Sequence, residues 1–293
     1  MIENTEKTKT GIVLEGGAMR GMFTGGVLDV MMENGITFDG AAGVSAGAVF
    51  GCNLKSKQIG RAIRYNLRFC NEWRYCSIRS LLLTGDMFGT DFCYNKLPYE
   101  LDIFDMVTFR NNPMEFYAVA TDLDTGKAVY HKCKTGGGED MDWFRASASM
   151  PIASRPVKIR DMSLLDGGMS DSIPLRFMEY KGYHKNVVVL TRSYEYIKEK
   201  SRLMPVLKAA LRKYPNAVKA METRHIRYNK TVEYIKRKEE KGEIFVIRPA
   251  AELNIAPTER DPGELIRVYE TGRNIMTGQL GALKEYLSIP HLS

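Results

Sequence analysis

The sequence predicts an α/β layered fold built on a mostly parallel sheet, and three observations carry that expectation. Short apolar runs alternate with segments whose apolar residues recur at helical spacing, the pattern of successive βα units. One run, Asn186 to Thr191, holds four consecutive apolar residues, as a strand covered on both faces requires. The chain has 293 residues with 44% hydrophobic content, enough to bury one sizeable core with room for an appendage.

Taken in order, Thr10 to Leu14 reads as a short buried strand broken by Glu15-Gly16-Gly17. From Met19 to Asn34, Met22, Phe23, Val27, Leu28, Val30 and Met31 recur at helical spacing, and Gly35 supplies a stop. Ile36 to Val44 leads into a second strand, Ser45 sits at the turn, and Ala46 to Leu54 leaves as a helix of small residues. Ser56 to Thr84 reads as helical, and Gly85 to Asn112 as irregular and aromatic. Met114 to Thr121 is a strand, Asp122 to Gly126 a turn, and Ala128 to Lys132 the returning strand. A short helix spans Asp140 to Ser149, followed by short strands at Val157 to Ile159 and Ser163 to Leu165. Beyond the apolar strand, Met204 to Glu240 reads as one long basic helix, Glu243 to Arg248 as a strand and Glu264 to Leu287 as an amphipathic helix. The expected organisation is a polar tail over 1–10, a catalytic domain over 11–192, and a mainly helical basic region over 193–293 that packs on or continues the core.

Three short motifs carry chemistry. Gly43-Val44-Ser45-Ala46-Gly47 fits G-x-S-x-G, in which serine occupies a sharp strand-to-helix turn and the glycines admit neighbouring backbone without a Cβ clash. The following helix points its N-terminus at the same spot, where it stabilises a developing anion. Gly16-Gly17-Ala18-Met19-Arg20-Gly21 places backbone N–H groups at a helix start, suited to an oxyanion hole, to a nucleotide phosphate or simply to a turn. The dinucleotide pattern fails at Ala18, and no G-x-x-x-x-G-K-[ST] is present. Asp166-Gly167-Gly168 follows a short strand, which positions a carboxylate as base or leaves a plain turn. None of His131, His184, His225 and His291 sits in a convincing loop after a strand, so a Ser–Asp dyad is expected in place of a histidine triad.

In this order, E-G-G-A-M-R-G (Glu15–Gly21), G-V-S-A-G-A (Gly43–Ala48) and L-D-G-G (Leu165–Gly168) resemble the patatin-like phospholipase family. A-S-A-S-M-P-I (Ala146–Ile152) and A-T-D-L-D-T-G (Ala120–Gly126) add to the resemblance, which runs from about Gly11 to Arg192. It implies a three-layer α/β/α fold and lipid acyl hydrolysis through an acyl-serine, with Ser45 attacking and Asp166 as base. It further implies an oxyanion hole from the N–H groups around Gly16, Gly17 and Ala18, with Arg20 bracing that loop or meeting a phosphate. Gly21, Gly43, Gly47, Gly167 and Gly168 would support these turns. The chain departs from the commoner pattern in carrying Ala18 where a third glycine often stands. An acyltransferase with the same nucleophile and a catalytically silent binding module share the fold and remain alternatives.

Charge and cysteine usage bound the rest. The chain carries net +7, yet 15 Lys/Arg against 6 Asp/Glu fall between Arg192 and Lys241, so the remainder is slightly acidic. That segment suits contact with an anionic membrane surface, or stands as a solvated helical face; no nucleic-acid motif accompanies it. Five cysteines without a C-x-x-C pair argue for free thiols and against a structural zinc site. Asp122 and Asp124 read as solvated turn carboxylates, and neither a metal nor a cofactor is expected. The polar first ten residues lack a signal-peptide core and no run is long enough to span a bilayer, so a cytoplasmic protein, peripheral to membrane at most, is expected.

Overall fold

A computed structural model describes residues 8–288; most of the expected N-terminal tail and His291 lie outside the described residues. The strands are β1 (Thr10–Leu14), β2 (Gly40–Val44), β3 (Glu115–Asp122), β4 (Ala128–Cys133), β5 (Val157–Ile159), β6 (Met162–Asp166), β7 (Lys185–Val189) and β8 (Ile244–Ile247). They form one sheet in the order β5-β6-β3-β2-β1-β7-β8, with β4 also paired to β3. β3, β2, β1, β7 and β8 run parallel, whereas β4, β6 and β5 make the antiparallel flank.

The first helices are α1 (Gly21–Glu33), α2 (Ala46–Ser56), α3 (Arg61–Phe69), α4 (Ile78–Thr84), α5 (Met106–Asn111) and α6 (Glu139–Ala148). The later ones are α7 (Leu175–Tyr180), α8 (Met204–Ala210), α9 (Pro215–Glu240) and α10 (Pro262–Ser288). Strand alternation sorts the layers. Ile12 and Leu14 point into a core shared with α1, α2, α6 and α10, whereas Val13, Ala42 and Val188 point into a second core with α7 and α9. The result is the expected α/β/α sandwich, and no helix among the described residues is long and apolar enough to cross a membrane.

Several local expectations are corrected. Ser56 to Thr84 is not one helix: it divides into α3 and α4, and Ser77 starts the second by accepting from the Ser80 N–H at 2.9 Å. Gly85 to Asn112 is not irregular: Phe92–Leu101 forms a wide π-helix containing Pro98, and α5 follows. The long basic helix breaks before Pro215, which opens α9 because it lacks the N–H needed in a helix interior. Helix α7, in the segment after Ile173-Pro174, was not anticipated. Nor is the basic segment merely a solvated face, since Ala217, Ala220, Met221, Tyr228 and Ile235 of α9 are buried.

The region after Arg192 is woven into the sheet. β8 extends the parallel sheet beside β7, and Gly26 of α1 meets the backbone of Tyr269 and Arg273 in α10 so closely that a Cβ would lie 2.1 Å from the Tyr269 carbonyl. All five cysteines are free thiols, and burial pushes Cys52 and Cys76 up to about 12.

Candidate active site

The strand register brings the predicted residues together. Val44 of β2 pairs with Val119 of β3, and the next residue of β3, Ala120, pairs with Asp166 of β6. Ser45 and Asp166 therefore sit two strands apart at one level of the sheet, a backbone gap of roughly 9–10 Å that two short side chains close. The two side chains lie close enough to interact, and the Ser45 side chain holds the Asp166 carboxyl down against the rise that burial imposes. Both residues are buried, with 8% and 7% of their surfaces accessible.

Ser45 occupies the strained turn that the motif requires, with φ 55 and ψ −123. Gly43 and Gly47 are needed for close approach: a Cβ on Gly43 would lie 2.4 Å from the Gly47 carbonyl, and one on Gly47 would lie 2.3 Å from the Leu14 carbonyl. The turn is held from outside by Ser147. Its hydroxyl accepts from the Ser45 N–H at 2.9 Å and donates to the Val119 carbonyl at 2.6 Å, so both roles of one oxygen are used. Two residues on, the Ser149 carbonyl accepts the Asp166 N–H at 2.8 Å. The end of α6 thus anchors both members of the pair. Sequence reasoning placed Ser147 and Ser149 in a family-like block without assigning them a role; nothing local marks a serine whose partner is 102 residues away.

Asp166 Oδ1 accepts from the Gly168 N–H at 2.7 Å, and Thr121 Oγ1 donates to the Asp166 backbone carbonyl at 2.8 Å. Gly167 lies against β3 so closely that a Cβ would fall 2.2 Å from the Val119 carbonyl. Burial raises the carboxyl above the ordinary aspartate range; the Ser45 side chain, the bond from Gly168 and the charge of Arg224 oppose the rise. Arg224 reaches in from α9 and donates through Nε to the Gly168 carbonyl at 2.5 Å, while Arg227 donates to the Met169 carbonyl at 2.7 Å. Two cations of the basic segment therefore brace the aspartate turn.

The loop Gly16-Gly17-Ala18 leaves β1 beside Ser45. A Cβ on Gly16 would sit 2.9 Å from the Ser45 Cβ, and the N–H groups of Gly16 and Gly17 find no acceptor among the described residues. Ala18 adopts φ 49, so this chain accepts in an alanine the left-handed conformation a glycine takes at little cost. Gly21 admits α2, since a Cβ there would lie 2.7 Å from that of Ala46. Glu15 is a buried tether: its carboxylate accepts from the Thr191 N–H at 2.6 Å and from the Tyr228 hydroxyl at 2.7 Å. The Arg20 Nε is buried without an acceptor among the described residues.

Two cavities meet at Ser45. One is lined by apolar and aromatic side chains, including Tyr65, Tyr75, Phe88, Tyr94, Phe104 and Phe144. The other is a polar cleft that also contains Asp166, the glycine loop, Arg20, Arg192, Lys198 and Arg224. Among the described residues no histidine lines either cavity. His131 is engaged elsewhere, bonded to Asp140 at 2.8 Å and stacked on Trp143. That pair and Cys133 bring three ligand-type atoms together, but Asp140 is already taken by the N–H groups of Lys134, Thr135 and Gly136. Asp122 is not a solvated carboxylate: it is buried and closes its own turn through Thr125 Oγ1 at 2.7 Å.

A family model described as patatin-like phospholipase matches residues 12–178, and one described as a domain of unknown function, DUF6363, matches residues 214–288. Lysophospholipase NTE1 of Scheffersomyces stipitis is 26% identical over 178 residues, covering 59% of this chain and 11% of that protein. The uncharacterized protein YjjU of Escherichia coli K12 is 28% identical over 197 residues, covering 61% of this chain and 51% of that protein. This chain thus spans a small part of the fungal relative and about half of the bacterial one. The crystal structure of VipD from Legionella pneumophila superposes with a TM-score of 0.49 at 13% identity, covering 94% of this chain and 67% of that one.

Proposed function

The chain belongs to the patatin-like phospholipase family, a family of lipid acyl hydrolases, and from that premise we propose that it cleaves lipid acyl esters through a Ser45–Asp166 dyad. The observation that carries the reading is the strained turn that sets Ser45 beside a buried carboxylate in one cleft. Ser45 Oγ attacks the ester carbonyl while Asp166 takes its proton. The carbonyl oxygen becomes an oxyanion facing the N–H groups of Gly16, Gly17 and Ala18, beside the start of α2. Collapse expels the alcohol, which recovers the proton from Asp166. Water then attacks the acyl-serine with Asp166 again as base, releasing the fatty acid and restoring Ser45.

The apolar cavity provides the acyl site. Most of its aromatic wall comes from the excursion between α2 and β3, which includes the π-helix, with Phe144 added from α6, and it opens directly onto Ser45. The basic region after Arg192 supplies a contact for anionic lipid as well as the brace on the aspartate turn. The test is hydrolysis of short- and medium-chain p-nitrophenyl esters by the wild type, Ser45→Ala and Asp166→Asn, with circular dichroism as the folding control. Activity is expected in the wild type and a loss of at least about 1,000-fold in each folded variant. Activity that persists in Ser45→Ala would sink the mechanism.

A further inference from the structure

The glycine loop beside Ser45 is held from one side by a residue with no part in the dyad. β1 and β7 pair in parallel with Leu14 opposite Val189, and the ladder continues one bond further, from the Glu15 N–H to the Val189 carbonyl at 3.0 Å. The next bond of a parallel ladder would run from the Thr191 N–H to the Glu15 backbone carbonyl. The Glu15 carboxylate takes that N–H instead, at 2.6 Å, so pairing stops and the chain leaves the sheet at Gly16. Thr191 is fully buried at this point. Its Oγ1 lies 3.2 Å from the Gly16 carbonyl and 3.2 Å from the Glu15 carboxylate. The hydroxyl has one proton to give. Glu15 keeps two donors without it, the Thr191 N–H and the Tyr228 hydroxyl, whereas the Gly16 carbonyl has no other donor among the described residues. Thr191 also abuts the next residue: a Cβ on Gly17 would fall 2.7 Å from the same Oγ1, while one on Gly16 would fall 2.9 Å from the Ser45 Cβ. The Gly16–Gly17 peptide therefore stands between Thr191 and Ser45.

We propose that Thr191 is a positioning residue for the oxyanion hole, acting through the Gly16–Gly17 peptide. In a planar trans peptide the C=O and N–H point in opposite directions. A hydroxyl that holds the Gly16 carbonyl on the Thr191 side thus turns the Gly17 N–H away from it, toward the side of Ser45. That N–H has no acceptor among the described residues, which leaves it for the oxygen of a bound ester. Two glycines alone would let the peptide rotate. A donor must already point at the oxygen when charge develops there, because turning it during the reaction costs part of its effect. The role rests on the serine-hydrolase reading. It places a determinant of the reaction beyond residue 178, where the match to the phospholipase family model ends.

Variants of the full chain test this, with circular dichroism as the folding control. Thr191→Val keeps the shape and removes the hydroxyl, Thr191→Ala removes it should the valine protein not fold, and Thr191→Ser retains it. With a p-nitrophenyl ester, kcat is expected to fall about 10- to 100-fold in Thr191→Val with KM within about twofold, and to stay within about threefold of the wild type in Thr191→Ser. The second readout is inhibition by an alkyl trifluoromethyl ketone. Ser45 Oγ adds to its carbonyl carbon, the hydroxyl proton passes to Asp166 and the C=O electron pair moves to oxygen, which makes an oxyanion without releasing a leaving group. Thr191→Val is expected to weaken that inhibitor at least about tenfold, and the alkyl methyl ketone of equal length, which binds without that charge, less than about twofold. Unchanged kcat and inhibitor affinity in Thr191→Val would overturn the role. So would an equal loss for both ketones, or a loss that Thr191→Ser shares, since either reads packing and not orientation. A wild type that cleaves no ester and resists the trifluoromethyl ketone would instead overturn the hydrolase reading, and the role with it.

Discussion

At the residue scale the account turns on Asp166. A carboxyl buried beside an uncharged hydroxyl has its pKa raised above 3.8, and the cause is loss of water. Its contribution to stability is complete below the unfolded pKa and is lost as pH rises through the folded one. At neutral pH the ionised group therefore destabilises the fold that uses it. Asp166→Asn keeps an oxygen to accept the Gly168 N–H and removes the buried charge. It is expected to melt at higher temperature than the wild type at pH 7–8, the gap narrowing toward pH 4, where the unfolded carboxyl also takes up its proton. Thermal melts of the two proteins across that range check this, and a lower melting temperature for Asp166→Asn at pH 7–8 would contradict it. Ser45 and Asp166 were legible in the sequence because turn chemistry marks them: glycines flank Ser45 and follow Asp166, and Gly43, Gly47 and Gly167 are each required by a backbone carbonyl pressed against them. Arg224 was not, because one arginine among many on a basic helix carries no local sign of facing inward.

At the element scale, strands and the helices next to them were readable from periodicity, and the lapses have physical causes. The π-helix at Phe92–Leu101 has no apolar spacing of its own and accommodates Pro98, so it imitates irregular chain. The break between α8 and α9 was available from Pro215 but was outweighed by continuous positive charge. Helix α6 was legible as a helix, while its work was not, because that work is a contact between chain segments far apart. Its end fixes both halves of the dyad, through Ser147 to the Ser45 N–H and through Ser149 to the Asp166 N–H. Ser147→Ala would leave the Ser45 N–H buried without an acceptor, at a cost of about 1–3 kcal/mol. Urea denaturation should read that loss, and kcat should fall about tenfold or more as the strained turn loosens. A variant as stable and as active as the wild type would show that α6 is a bystander.

At the scale of the whole molecule, the site lies where the topology reverses. The chain passes from β1 to β2 on one side and later returns to β7 on the other, so the carboxyl ends of all three open onto one crevice. The glycine loop follows β1, Ser45 follows β2, and Thr191 and Arg192 follow β7. The antiparallel β6 delivers Asp166 from the far side of β3, and α9 closes the crevice with Arg224 and Tyr228. The region after Arg192 shares in this assembly, since β8 completes the sheet and a buried bond joins Tyr228 to Glu15 across 213 residues. The central claim is that this assembly makes Ser45 a nucleophile, and the most direct measurement is labelling of the folded protein with a fluorophosphonate, followed by peptide mapping. The account predicts one modified site, Ser45, labelled in the wild type and at least about 100-fold more slowly in folded Asp166→Asn. Modification of another serine, or labelling of Ser45 at the same rate without Asp166, would contradict it.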